Sequence, residues 1–393
     1  TINGVETVNI AGTDAAAANI SAINVLALAS DKATSVVVTG NDGLALTSTA
    51  ATKITSFDAS AVAANDSGDT AANMAVTYTS ANTSATASVT IKGGAGNDVL
   101  EGNAGHDTIE GGAGTDQITA TAGNDTISGG AGADNLVISA ALFAANSTAS
   151  NTSTFDGGAG TDIITVGATA TIVDADFDGI TSFETITTGN GANSYTLGAK
   201  ADAAGITTFN GGTGADTIVL TDVDFDNAIT LNTGDGTDIV TLGAQAATYV
   251  VQYVATFDDD VITGWTTGTD QISIDKSITG ISGSVGDNLA NGNYFEGAVA
   301  NMVAGTAYDV IVLTGASYAT VGAAEDAIAA VSTSATDALI IFHDTGNKAH
   351  MFFDANIATD GNLADTNVAV FDDITTLAAT AAAFAITDFN IIA

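Results

Sequence analysis

Apolar and polar residues alternate along this chain in short bursts, with a period of two rather than the spacing of a helix face. VETVNI (residues 5–10), VVV (36–38) and ETIT (184–187) read as half-buried strands, each closed by Gly, Asn, Asp or Ser. A pentad, Ile-Thr-(Ser/Thr)-Phe-(Asp/Glu/Asn), recurs at 54–58, 180–184 and 206–210, with a variant at 386–390. Its phenylalanine keeps one place in the pattern, which predicts an inward aromatic on successive coils of a β-solenoid. Only near the end does the pattern change: 323–331 predicts a short helix, followed by strands at 338–343 and 349–354.

A stricter repeat occupies residues 93–137, where GGAGNDVLE, GNAGHDTIE, GGAGTDQIT, ATAGNDTIS and GGAGADNLV follow one another in unbroken phase. Position six is always aspartate (Asp98, Asp107, Asp116, Asp125, Asp134), and position eight is always a branched aliphatic (Leu100, Ile109, Ile118, Ile127, Leu136). Dispersed copies at 157–165, 211–219 and 233–241 add Asp162, Asp216 and Asp238. Glycines at positions one, two and four allow tight turns, and the last three residues make a strand with one side chain to bury. Such units stack as a two-sided parallel solenoid, with turns about 4.8 Å apart. Stacking crowds the position-six carboxylates of neighbouring turns, a repulsion that a cation between them removes. One Gly-x-Asp alone would read as a solvated turn, whereas five in phase predict ligation. Oxygen donors without nitrogen or sulfur suit Ca²⁺.

Composition sharpens this reading. Of 393 residues 45 are acidic and 6 basic, a formal charge of −39, and every basic residue is lysine: Lys32, Lys53, Lys92, Lys200, Lys276 and Lys348. Nucleic acid and anionic membranes are therefore poor partners. With 46% apolar and 13% charged residues, the chain has the material for a core once its carboxylates are neutralised. Cysteine and proline are absent, which removes disulfides and thiol chemistry. No apolar run approaches the roughly 18 residues of a membrane span, and no export signal opens the sequence at Thr1.

The nonapeptide resembles the GGxGxDxUx signature of RTX proteins, whose repeats form a calcium-binding parallel β-roll. That resemblance implies an ion between repeats n and n+2, held by carbonyls two and four and the aspartate of one turn and by carbonyls one and three and the aspartate of the other. On matching positions, Gly94, Gly96 and Asp98 would face Gly111, Ala113 and Asp116. Asn103, Gly105 and Asp107 would face Ala120, Ala122 and Asp125, while Gly112, Gly114 and Asp116 would face Gly129, Ala131 and Asp134. The middle set departs from the signature at Asn103, Ala120 and Thr121. Residues 1–140, with GVETVNIAGTD, SVVVTGNDGLALTSTAATKITSFDASAV and TSANTSATASVTIKGGAGNDVLEG, also resemble the C-terminal portion of RTX-type surface-layer proteins of Caulobacter and its relatives. That family implies type I secretion, calcium-dependent folding outside the cell and self-assembly into an S-layer. It also implies a lipopolysaccharide anchor in a region with no counterpart here.

The expected architecture is all-β: solenoid rungs at 1–92, an RTX β-roll with insertions at 93–245, and a β-rich cap with a short helix at 246–393. Residues 257–274 resemble the cap after a β-roll, with Trp265 and Phe257 in its core, and 384–393 resemble an uncleaved type I secretion signal. Catalytic motifs are missing. His343, Asp344 and His350 lie in HDTGNKAH, which matches no zinc-protease spacing and reads as a solvated strand edge, and His106 falls at a variable, exposed repeat position. The expectation is a non-enzymatic, extracellular, calcium-stabilised coat or filament protein whose partners are its own copies and the type I exporter. The surplus acids Asp174, Asp176, Asp178, Asp222, Asp224 and Asp226 are candidates for ions shared between subunits. The alternatives are the C-terminal module of an RTX adhesin and the secretion tail of a serralysin-like hydrolase.

Overall fold

The computed structural model describes residues 4–13, 23–48, 51–65, 69–84, 86–148, 152–167, 169–221, 225–243, 248–253, 259–275, 294–303, 306, 308–331, 338–354, 366–385 and 388–392. Phe257, Lys276, Asp222, Asp224 and Ile386 lie outside them. The chain forms two compact units: Thr1–Gly189 with Lys200–Ile206, and Asn190–Ala199 with Thr207–Ala393.

In the first unit the chain alternates between two parallel sheets, laying one strand on each per coil. One sheet takes Thr7–Gly12, Ser35–Gly40, Ser56–Val62, Thr90–Lys92, Thr108–Ala113, Thr126–Ala131, Thr154–Ala159 and Ile180–Thr181. The other takes Asn24–Ala27, Leu44–Thr47, Val76–Thr79, Val99–Glu101, Gln117–Thr119, Asn135–Ile138, Ile163–Val166 and Thr185–Thr188. Register follows from the inward residue. Phe57, Ile91, Ile109, Ile127 and Phe155 stand in one row, and Tyr78, Leu100, Ile118, Leu136, Ile164 and Ile186 in the other. All are buried, and each contributes about 1.5–3 kcal/mol that its short strand cannot gain alone. The pentad phenylalanines Phe57, Phe183 and Phe209 point inward as the pattern predicts. Phe57 stacks on Tyr78 of the opposite sheet, with ring centres 4.0 Å apart.

Coils of two nonapeptides repeat every 18 residues. Beyond Ile138 the step widens to 28, because a helix, Ala140–Ala145, is inserted under the N-cap of Ser139. Its Phe143 packs edge-on against Phe177.

In the second unit, one sheet is wholly parallel: Thr208–Asn210, Ile229–Asn232, Tyr249–Tyr253, Gln271–Asp275 and Phe389–Ile392. The other runs parallel from Ser194–Leu197 through Thr217–Leu220, Ile239–Thr241 and Asp260–Thr263 to Thr366–Phe371. It then continues through antiparallel Ala349–Asp354 and Ala338–Asp344 to Val310–Tyr318 and Tyr294–Gly297. Solenoid rungs thus extend through the segment that resembles a cap, because Ile262 and Ile272 continue the inward rows of Val240 and Val251.

The helix expected at 323–331 is Val321–Ala329, capped by Thr320, and the two expected strands are present; a second helix, Leu377–Ala383, follows nearer the end. Strand Ala338–Asp344 is flanked on both edges and buried on both faces, as its unbroken apolar run requires. His343 is consequently buried, with Nδ1 3.1 Å from Ser317 Oγ, and not the solvated edge residue its polarity suggested. Trp265 is a core residue. Its indole donates to the Ala383 carbonyl at 2.8 Å, and its ring packs on Phe371 and Phe384. Among the described residues no helix is long and apolar enough to cross a membrane.

Candidate metal centre

The corners between the sheets bring turns together so closely that only glycine fits at key places. Gly112 and Gly130 sit at φ +116° and +113°, and a Cβ on either would collide with the carbonyl of Gly94 or Gly112 on the preceding turn. The same close approach stacks the position-six residues. All eight predicted aspartates are buried: Asp98, Asp107, Asp116, Asp125, Asp134, Asp162, Asp216 and Asp238.

One carboxylate oxygen of each accepts a backbone N–H from the turn before. Val76 donates to Asp98 Oδ1, Asp98 to Asp116, Asp116 to Asp134, and Asp134 to Asp162, all at 2.7–2.8 Å. At the opposite corner Val89 donates to Asp107, and Asp107 to Asp125. In the second unit Asn193, Asp216 and Asp238 donate in turn to Asp216, Asp238 and Asp260.

The second oxygen separates the corners into two kinds. Asp98 Oδ2 accepts from Gly94 N–H and Asp107 Oδ2 from Asn103 N–H, both at 2.7 Å. The Oδ2 atoms of Asp116, Asp134, Asp162 and Asp216 are buried without a hydrogen-bond partner among the described residues. Each lies beside the first glycine of its own repeat, where a carbonyl of the next turn also points. Gly111 lies between Asp116 and the Gly129 carbonyl, Gly129 between Asp134 and the Gly157 carbonyl, and Gly211 between Asp216 and the Thr233 carbonyl. A Cβ would fill each of these cradles. Among the described residues no three His, Cys, Asp or Glu side chains cluster, so main-chain carbonyls are needed to complete a donor set.

Burial makes these carboxyls reluctant to ionise. Loss of solvent pushes Asp116 up to about 7, with Asp98 and Asp134 adding repulsion, and pushes Asp98 and Asp125 up to about 6. Asp107, Asp134, Asp162 and Asp216 are raised for the same first reason. A pocket of oxygen donors whose carboxylates lack counter-charge fits a hard divalent cation.

The three predicted sites differ in form. At the third, Asp116 Oδ2 and the Gly129 carbonyl converge, although the Ala131 carbonyl accepts from Gly114 N–H at 2.8 Å. At the first, the Gly111 carbonyl and Asp98 Oδ2 both border Gly93, while the Gly94 carbonyl accepts from Ala113 N–H. At the middle one the Asn103 carbonyl is taken by the Thr121 hydroxyl, and the Asn103 amide reaches back to the Ser84 and Ala87 carbonyls. The residues that break the signature there thus occupy one another.

Sequence reading missed three partners. Asp134 meets the corner of Gly157 and Asp162 because the inserted helix hides their shared phase. Asp260 and Asp270 hold position six of degenerate repeats, two residues before Ile262 and Ile272. Thr266 N–H donates to Asp270 Oδ2 at 2.7 Å, as Gly94 does to Asp98. The aspartate-x-isoleucine spacing was the available signal.

Residues 90–118 and 110–137 match the RTX calcium-binding nonapeptide repeat, a family description spanning four copies. The chain carries RTX calcium-binding repeats. The match is to the repeat and does not single out surface-layer proteins. No curated protein and no solved structure matches the chain. Away from the RTX corners, His350 Nε2 lies 2.9 Å from Asp344 Oδ2; within a corner, His106 next to Asp107 accepts from Asn124 N–H at the surface.

Proposed function

We propose that this is a non-enzymatic, secreted structural protein that folds on calcium outside the cell and self-assembles into a surface-layer lattice or filament. The observation that carries the calcium step is the stack Asp116–Asp134–Asp162, whose buried Oδ2 atoms lack partners beside glycine cradles. With little free calcium the chain stays open and passes the type I exporter. At extracellular concentrations the ions bind only the folded form and stabilise it cumulatively. Extracellular calcium modules with dissociation constants of about 10⁻⁴ to 10⁻³ M suit that switch.

Assembly is supported by the resemblance of residues 1–140 to surface-layer proteins and by the terminal strand Asn24–Ala27, where Val25 is 80% exposed and Leu26 40%. Of the surplus acids, Asp174 caps the amides of Lys200 and Ala201, and Asp178 pairs with Lys200 at 3.0 Å, so both act within the chain. Electron microscopy of the purified chain with and without calcium tests the proposal. Sheets or filaments that form in calcium and disperse in EDTA support it. Dispersed particles in both conditions favour the adhesin-module or secretion-tail readings instead.

A further inference from the structure

The Asp98–Asp116–Asp134–Asp162 stack does not end at its last aspartate. Asp162 N–H donates to Glu184 Oε2 at 2.7 Å, the bond that every earlier aspartate in the stack makes to the next. Only a degenerate unit, GITSFETIT at 179–187, surrounds Glu184. Thr181 pairs with Asp156, so Ser182 falls opposite Gly157, and the corner that runs from Gly157 to Asp162 on one turn runs only from Ser182 to Glu184 on the next. Two consequences follow from the shortened corner. Ser182 is held at φ +59°, unusual for a residue with a side chain, and its carbonyl points at Gly157 where a glycine carbonyl points on other turns. The carboxylate must also reach Asp162 from a shorter loop, which the extra methylene of glutamate allows.

Asp162 is fully buried, and its Oδ2 has no hydrogen-bond partner among the described residues. It lies beside the Gly157 cradle that the Ser182 carbonyl also faces.

We propose that Asp162, in the last nonapeptide copy of the first unit, shares a calcium ion with Glu184 and the Ser182 carbonyl of the following turn, which no complete nonapeptide supplies. The inference rests on the calcium reading of the aspartate stack. Equilibrium dialysis of the full chain against Ca²⁺, with circular dichroism to confirm folding, tests it. Glu184→Gln keeps an acceptor for Asp162 N–H and removes the charge. It is expected to bind one ion fewer than the wild type, with the remaining ions unchanged. Ser182→Gly keeps the carbonyl and should retain the full count. Should Glu184→Gln not fold, Glu184→Asp keeps the charge but shortens the reach, and should weaken one ion at least tenfold. A Glu184→Gln or Glu184→Asp chain that binds calcium just as the wild type does overturns this site alone. A wild-type chain that binds no calcium overturns the reading beneath it as well.

Discussion

An aspartate in an unfolded chain is ionised at neutral pH, whereas Asp116 in the calcium-free fold is pushed up to about 7 and Asp98 and Asp125 to about 6. Between the usual carboxylate range and those values the folded state binds more protons, so calcium-free stability falls as pH rises. In EDTA the melting temperature should fall as pH rises from 5, until no folded transition remains near pH 7.5. In saturating calcium it should not, because the ions hold the carboxylates charged. Calorimetry across that range reads both trends, and an EDTA-state melting temperature that rises with pH contradicts the assignment. Asp134→Asn separates the two forms differently. Its amide oxygen can still accept from Asp116 N–H, so the calcium-free fold should lose little or gain, while the calcium-bound form should lose an ion and about 1–3 kcal/mol. Position-six aspartates were legible from their phase alone. Glu184 and Ser182 were not, because their role depends on a corner three residues shorter than the nonapeptide, which only the pairing of Thr181 with Asp156 reveals.

At the scale of the element, the strands of the first unit are two to seven residues long and owe their place to inward side chains and the turns beside them. Truncating Phe57→Ala removes a ring stacked at 4.0 Å on Tyr78 and should destabilise the first unit by about 3–5 kcal/mol. Gly130→Ala meets both a left-handed φ and the Gly112 carbonyl. It should cost at least about 1–2 kcal/mol and shift the calcium midpoint for folding upward in a titration followed by circular dichroism. Period-two strands and the inward pentad phenylalanine could be read directly from the sequence. The helix Ala140–Ala145 could not, since six residues of mostly alanine carry little periodicity. His343 was misjudged because polarity was read without the flanking strands that bury it.

For the whole molecule, the C-terminal segment that resembles a secretion signal is also built into the fold. Strand Phe389–Ile392 pairs with Gln271–Asp275, and Phe384 packs on Trp265 and Phe371. Removing residues 384–393 should therefore expose Trp265, seen as a red shift of its fluorescence, and lower the melting temperature in calcium. The solenoid was legible wherever its nonapeptides stay in phase, and became illegible where insertions lengthen a coil or glycines give way to larger residues. The central claim is that calcium neutralises buried carboxylates stacked on successive turns and so permits the fold. It is tested most directly by far-ultraviolet circular dichroism and thermal melting of the full chain at pH 7.5, in EDTA and in millimolar CaCl₂. The account predicts a largely unfolded spectrum in EDTA and a cooperative, higher-melting β-spectrum in calcium; the same spectrum and melting curve in both would contradict it.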